Sequence, residues 1–376
     1  MARYRSDTPA ARLRDAPVRA RRRTRRLLHL TASGYGALCL AALLGLAVTA
    51  PGTELVRPDT ASASTHPGSA HPGSSELGPS EFGHSETGSS QPAASVPDGR
   101  VEDPAHGVRP VPSGWREVGP LLSGAVADAG LSGHQLAACV LAIDAPDERV
   151  VCAGDDEPRY AASVIKVAYA VAALEAWDAD PAAETPYGPL DELLEQAISV
   201  SDNEAANLLY DLSVRGPEAP DTDDPIEAIN DVADRVDLAD EFHTGGTFRW
   251  EWTGDWSRVS ARGSVGYLTE LVRAADGRAP SSEALTSPAV ARTVLDLMLG
   301  QERLWKLPAH LPEGSSANKT GETDTTDHDI AVINTASGRY SIAVISTAAG
   351  TYGTQDEVIS GLGRDVARAL GGAVRF

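Results

Sequence analysis

Residues 316–347 read SANKTGETDTTDHDIAVINTASGRYSIAVIST. Three strand segments are legible in this stretch: Ser316 to Thr320, Asp329 to Asn334 and Tyr340 to Thr347, the last two joined by a hairpin turn at Ala336-Ser337-Gly338. Far upstream, Leu136 to Ile143 and Arg149 to Ala153 read as two further strands around a turn at Asp144-Ala145-Pro146-Asp147. Helical patterns fill the interval at 164–177, 190–200, 203–212, 226–236, 262–276 and 286–300, and two more flank the strands at 117–130 and 355–370. The expected fold class is therefore α/β, more closely an α+β two-lobe arrangement. An antiparallel sheet is built from both ends of the domain, and a mainly helical lobe is inserted between them. A cleft between two such lobes is the natural place for a small-molecule site.

The remaining chain is divided by composition. The 376 residues carry a net charge of -21, but residues 1–26 hold ten arginines against two aspartates. A body this acidic repels phosphate backbones, which excludes nucleic acid as the expected partner. Leu27 to Ala50 is almost uncharged and apolar, and Val48-Thr49-Ala50 fits a cleavage site. Residues 1–50 therefore read as an arginine-rich region and a signal peptide or a retained signal anchor, since about 20 apolar residues can cross a bilayer. Either reading predicts an extracytoplasmic protein, secreted or membrane-anchored, with membrane contact only through residues 27–50. Residues 51–112 are rich in Ser, Pro, Gly and His and read as a disordered linker. The segment 113–376 is the folded domain, and nothing in its acidic surface marks an interface, which points to a monomer.

Cys139 and Cys152 lie symmetrically about the centre of the 144–147 turn, so a tight hairpin would set them opposite each other. An exported protein could oxidise that pair to a disulfide; two buried free thiols are the alternative. The nine histidines are scattered and form no metal-ligand cluster with the cysteines.

Three short motifs fall at the lobe boundary. In Ser163-Val164-Ile165-Lys166 the lysine lies one helical turn from a serine at a helix start. That spacing lets an amine act on a hydroxyl nucleophile, and it also suits a plain N-cap serine. Ser201-Asp202-Asn203 joins two helical segments; it reads as a capping loop, or as a hydroxyl relay and an amide contact. Lys319-Thr320-Gly321, at a strand end, could grip a substrate carboxylate, or be a surface strand end with a turn glycine.

Taken in order, S-x-x-K, S-D-N and K-T-G resemble the signature of the class A beta-lactamase and penicillin-recognising serine hydrolase family. The resemblance covers about residues 115–370, including ISVSDNEAANLL at 198–209, LDLMLGQERLWKLPAHLPEG at 295–314 and the pair His328-Asp329. It implies a beta-lactamase/transpeptidase-like fold and acyl transfer with no metal or organic cofactor. By the same resemblance Ser163 is the acylated nucleophile, Lys166 its general base, and Ser201 the proton shuttle to the leaving nitrogen. Asn203 would bind the acyl side-chain amide, and Lys319 and Thr320 the substrate carboxylate, beside Gly321. The backbone N–H groups of Ser163 and Glu322 would form the oxyanion hole.

Two departures stand out. Ser201 follows Ser163 closely, so the helical lobe is trimmed, and no E-x-x-L-N segment lies between Asn203 and Ser260. Glu241 and Glu251 are the nearest replacements for that glutamate, with Glu251 the candidate deacylation base; a solvated or salt-bridged glutamate is the alternative. The leading expectation is hydrolysis of a beta-lactam amide. The rivals are a peptidase or transpeptidase acting on D-Ala-D-Ala-type peptide stems, or a slowly acylating penicillin-binding protein. An inert tethered binding domain would not need the poised serine and its lysine.

Overall fold

Alternation of buried side chains along the central strands dictates the layering. In Gln135–Ala142 the odd-numbered Ala137, Cys139 and Leu141 join one hydrophobic core, while Ala138, Val140 and Ala142 join another. A strand apolar on both faces must be covered on both faces. In this computed structural model, which describes residues 109–147, 149–249, 251–278, 284–347 and 353–376, both coverings are present.

The strands, in chain order, begin with β1 (Gln135–Ala142), β2 (Arg149–Ala153), β3 (Arg159–Tyr160), β4 (Glu184–Thr185) and β5 (Gly188–Pro189). They continue with β6 (Phe242–His243), β7 (Arg258–Val259), β8 (Ser316–Thr323), β9 (Thr326–Thr335) and β10 (Gly338–Thr347). The helices are α1 (Trp115–Leu131), α2 (Lys166–Ala176), α3 (Leu190–Glu195) and α4 (Asn203–Leu212), then α5 (Pro225–Asp234), α6 (Ala261–Ala275), α7 (Pro288–Leu299) and α8 (Asp356–Ala369). The main sheet has the order β2-β1-β10-β9-β8, antiparallel throughout. Strands from both ends of the domain thus meet at the β1–β10 pair, as the sequence predicts. Short strands β3, β7 and β6 form a second sheet, and β4 and β5 a two-stranded one.

Val118 and Leu122 of α1 and Ile359, Leu362 and Val366 of α8 pack on one face of the main sheet. On the other face lies the larger core, which joins Ile330, Val332, Ala343 and Ile345 of the sheet to α2, α6 and α7. The buried side of α2 is unusually complete: ten of its eleven residues are buried. This helix, buried almost all round and apolar apart from Lys166, Tyr169 and Glu175, is the centre of the second lobe.

Three local details differ from the sequence reading. Strand β8 runs on to Thr323 and β9 begins at Thr326, so Lys319-Thr320-Gly321 lies inside a strand rather than at its end. Gly321, Glu322 and Asp327 are weak strand formers, but the β8–β9 ladder overrides that preference. The helical segment at 190–200 changes from α to a π-helical turn over Gln196–Val200 and closes on Ser201 in the left-handed conformation, φ 72°. The helix expected at 164–177 starts with a tight 3-10 turn, Ala162–Ile165, before α2.

The β1–β2 ladder pairs Cys139 with Cys152, and the two are joined by a disulfide. The export segment 1–50 and nearly all of the 51–112 linker lie outside the described residues. The expected membrane anchor must be corrected: among the described residues no helix is long and apolar enough to cross a membrane, and 27–50 is not among them. No membrane attachment is therefore assigned.

Candidate active site

The first wall of the site is the turn that starts α2. Ala161 N–H donates to Ser257 O at 2.8 Å, and Val164 N–H donates back to Ala161 O at 3.2 Å. Between them Ala162 adopts φ 45°, an uncommon conformation for a residue with a Cβ. Such conformations persist where the surroundings over-determine them, and they cluster at functional sites. Ser163 follows directly and is half-buried, while Ala162, Val164 and Ile165 around it are buried.

The edge strand β8 closes against this turn at Gly321. A Cβ there would lie 3.0 Å from both the Ala161 carbonyl and a Val164 methyl group. A larger residue would press on the serine turn, so this close approach of the strand backbone favours glycine. Thr320 beside it is buried, and its hydroxyl has no hydrogen-bond partner among the described residues.

The second wall is the loop from the π-helical turn into α4. The Asp202 carboxylate accepts the Ala205 N–H at 2.7 Å and so caps α4. Into this loop reaches the fully buried Lys166. Its Nζ donates to Ser201 O at 2.7 Å, Asn203 Oδ1 at 2.8 Å and Asp202 O at 3.1 Å, and lies 3.5 Å from Ser201 Oγ. Lys319, equally buried, donates from the opposite side to Ser201 Oγ at 2.7 Å and to Thr320 O at 3.0 Å. Two amines therefore converge on one hydroxyl.

Burial sets the electrostatics. Desolvation pulls the Lys166 amine down to about 7, with the Arg303 cation adding to the fall and the Asp202 carboxylate opposing it. Lys319 is held well below its usual value by burial first, then by the charges of Lys166 and Arg303. An amine near 7 is half neutral at physiological pH and can accept a proton.

The beta-lactamase enzyme family model matches residues 182–370, half of the chain, and spans Ser201, Asn203 and Lys319. The chain belongs to the beta-lactamase enzyme family. The match begins after Ser163 and Lys166, whose setting rests on the geometry above. Solved structures agree on the fold. The beta-lactamase of Sphaerobacter thermophilus is 21% identical, over 67% of this chain and 97% of that one, with a TM-score of 0.54. The beta-lactamase of Desulfarculus baarsii is 20% identical, over 69% and 98%, with a TM-score of 0.53. A variant of the last common ancestor of Gram-negative bacteria class A beta-lactamase is 22% identical, over 66% and 98%, with a TM-score of 0.51. No curated protein sequence matches the chain.

Of the two glutamates nearest to the missing E-x-x-L-N position, Glu251 is the candidate deacylation base. Glu241 packs at the start of α6, where its carbonyl accepts the Ser260 N–H at 2.9 Å. Glu251 is exposed, and no hydrogen bond or ion pair joins it to Ser163 or Lys166. The group on Lys166 is instead aromatic: its Nζ lies 4.7 Å from the centroid of the Phe248 ring. Phe248 is fastened by its N–H to Asn207 Oδ1 at 2.8 Å, and Arg249 pairs with Asp211 at 2.6 Å. Both partners lie on α4, a contact no local pattern in 245–251 announces.

A buried ionic cluster supports the far end of β8. The carboxylates of Glu322, Asp327 and Asp356 lie close enough together to hold a metal. The fully buried Lys306 ammonium bonds to Glu322 and Asp327 and lies 3.8 Å from Asp356, so a side-chain cation stands among them. The other close trio, Cys139, Cys152 and Asp156, contains the disulfide and offers no thiolate. Nearby, His328 Nδ1 accepts the Ser346 N–H at 3.0 Å, which leaves Nε2–H to donate to Tyr160 O at 2.8 Å. Burial pulls this imidazole down to about 4, so it is neutral and structural at pH 7.

Proposed function

We propose that the chain is a serine hydrolase that cleaves the amide of a beta-lactam by acyl transfer through Ser163. The observation that carries this reading is the pair of buried lysines meeting at Ser201, beside the serine turn. In the proposed sequence neutral Lys166 takes the Ser163 hydroxyl proton as Oγ attacks the carbonyl carbon. The oxyanion that forms is met by the backbone N–H groups of Ser163 and Glu322. The amide C–N bond then breaks while Ser201 gives its proton to the leaving nitrogen and takes up the one held by Lys166, whose Nζ lies 3.5 Å from Ser201 Oγ, leaving a Ser163 ester and a neutral lysine. Lys319 and Thr320 hold the substrate carboxylate, and Asn203 the acyl side-chain amide. Water cleaves the ester and restores the hydroxyl. No step requires a metal or organic cofactor.

A second reading draws support from Phe248. An aromatic ring covers Lys166, and Glu251 is exposed, so acylation would outpace water attack on the ester. The protein would then behave as a slowly deacylating penicillin-binding protein, or as a peptidase or transpeptidase on D-Ala-D-Ala-type stems.

The test is incubation of the full chain with a chromogenic beta-lactam, following intact mass and product together. Sustained turnover that disappears in Ser163→Ala supports the hydrolase. A stoichiometric adduct without turnover favours the second reading. Folded protein giving neither sinks both.

A further inference from the structure

Three consecutive residues after α7 bind three consecutive carbonyls of the turn before Ser201. Gln301 Nε2 donates to Ile198 O at 2.8 Å, Glu302 N–H to Ser199 O at 3.0 Å, and Arg303 Nε to Val200 O at 3.2 Å. The end of a helix leaves its last carbonyls without intrahelical donors, and here one outside segment satisfies them in register. Arg303 reaches further. Its Nη1 donates to Glu322 Oε2 at 2.9 Å, and its carbonyl accepts from Asn318 Nδ2 at 3.4 Å. Glu322 is itself almost fully buried and gripped by Lys306. A single guanidinium thus joins the residue before Ser201 to the residue after Gly321.

We propose that Gln301–Arg303 is a clasp across the acylation site, in which Arg303 is a positioning residue that ties the Ser201 loop to the lysine strand. The planar guanidinium fork can bond two partners in fixed geometry, whereas an ammonium is a point charge on a flexible stem. The tie helps to over-determine the left-handed conformation of Ser201, which is costly for a residue with a Cβ. It also keeps Ser201 Oγ within reach of Lys319. The guanidinium adds a cation beside both lysines, which favours their neutral forms. The catalytic consequence rests on the acyl-transfer reading; the mechanical one does not.

Full-length Arg303→Met and Arg303→Lys are compared with wild type by hydrogen exchange over residues 198–203 and by the pH profile of Ser163 adduct formation with a chromogenic beta-lactam. Both variants are expected to exchange faster over 198–203 and to acylate about tenfold more slowly or worse, as loss of a charge-assisted hydrogen bond implies. In Arg303→Met the acidic limb of the profile moves to higher pH, because Lys166 loses a cationic neighbour. In Arg303→Lys the charge is kept and the limb stays. Unchanged exchange over 198–203 in folded Arg303→Lys overturns the clasp, whether or not an adduct forms. An unchanged acylation rate in that variant overturns its role in acylation. Absence of any adduct in wild type instead counts against the acyl-transfer reading, while the exchange result still judges the clasp. Should Arg303→Met not fold, Arg303→Lys decides alone.

Discussion

The Lys166 amine is the residue on which the proposed chemistry turns. In water a lysine is protonated at pH 7 and can accept nothing; buried among carbonyls and beside Arg303 it falls to about 7. The active form in the proposed sequence is the deprotonated one, so acylation should rise with pH through about 7 and level off above it. A stopped-flow series of adduct formation across pH 5 to 9 checks this, and a rate flat across that range would refute it. Lys166→Met should slow acylation by about 10²- to 10⁴-fold, the usual contribution of a positioned base, with Ser163 still present. At this scale much was legible beforehand. Serine and lysine one turn apart, and a lysine on a strand, are local spacings that a sequence displays directly. Arg303 and Phe248 were not legible, because each acts through a contact made across the fold: Arg303 with Val200 and Glu322, Phe248 with Lys166.

Among the elements, the loop into α4 has two functions that can be separated. Asp202 caps the helix through its carboxylate and also places a negative charge near Lys166. Asp202→Ala should therefore cost about 1 kcal/mol of stability, the usual worth of such a cap, whereas Asp202→Asn keeps the capping oxygen and should cost little. Both remove the charge that raises Lys166, so both should shift the acidic limb of acylation to lower pH. Thermal melts and pH–rate profiles on the two variants distinguish the effects; a limb that stays in place in both would show that Asp202 acts only as a cap. Helix positions were largely readable from their apolar period. What escaped was the π-helical end of the 190–200 segment and the extension of β8 and β9 toward each other. Neither has a local signal. The π turn is held by donors from residues 301–303, and the extended strands by pairing over 320–329 in spite of the weak strand propensity of Gly321, Glu322 and Asp327.

At the scale of the molecule, β1 and β10 join the two ends of the domain, and the disulfide fastens β2 to that junction. Cys139 and Cys152 are 13 residues apart. Closing a loop of that size restricts the unfolded chain enough to stabilise the fold by about 3 kcal/mol on the chain-entropy account. The double variant Cys139→Ala/Cys152→Ala should lose close to that amount in urea unfolding, with the sheet intact by circular dichroism. A loss below about 0.5 kcal/mol would mean that strand pairing alone closes the loop.

The sequence by itself determined the order of strands and helices, the division of the sheet between the two ends of the domain, and the three motifs in their spacing. Periodicity and turn chemistry are local properties, so they survive without a structure. Only the tertiary structure decided that Lys166 and Lys319 meet at one serine hydroxyl, that Arg303 ties the two walls, and that Phe248 covers the lysine where a glutamate was sought. Desolvation explains the difference: how basic a buried amine remains depends on every group packed around it, and those groups come from segments more than a hundred residues apart.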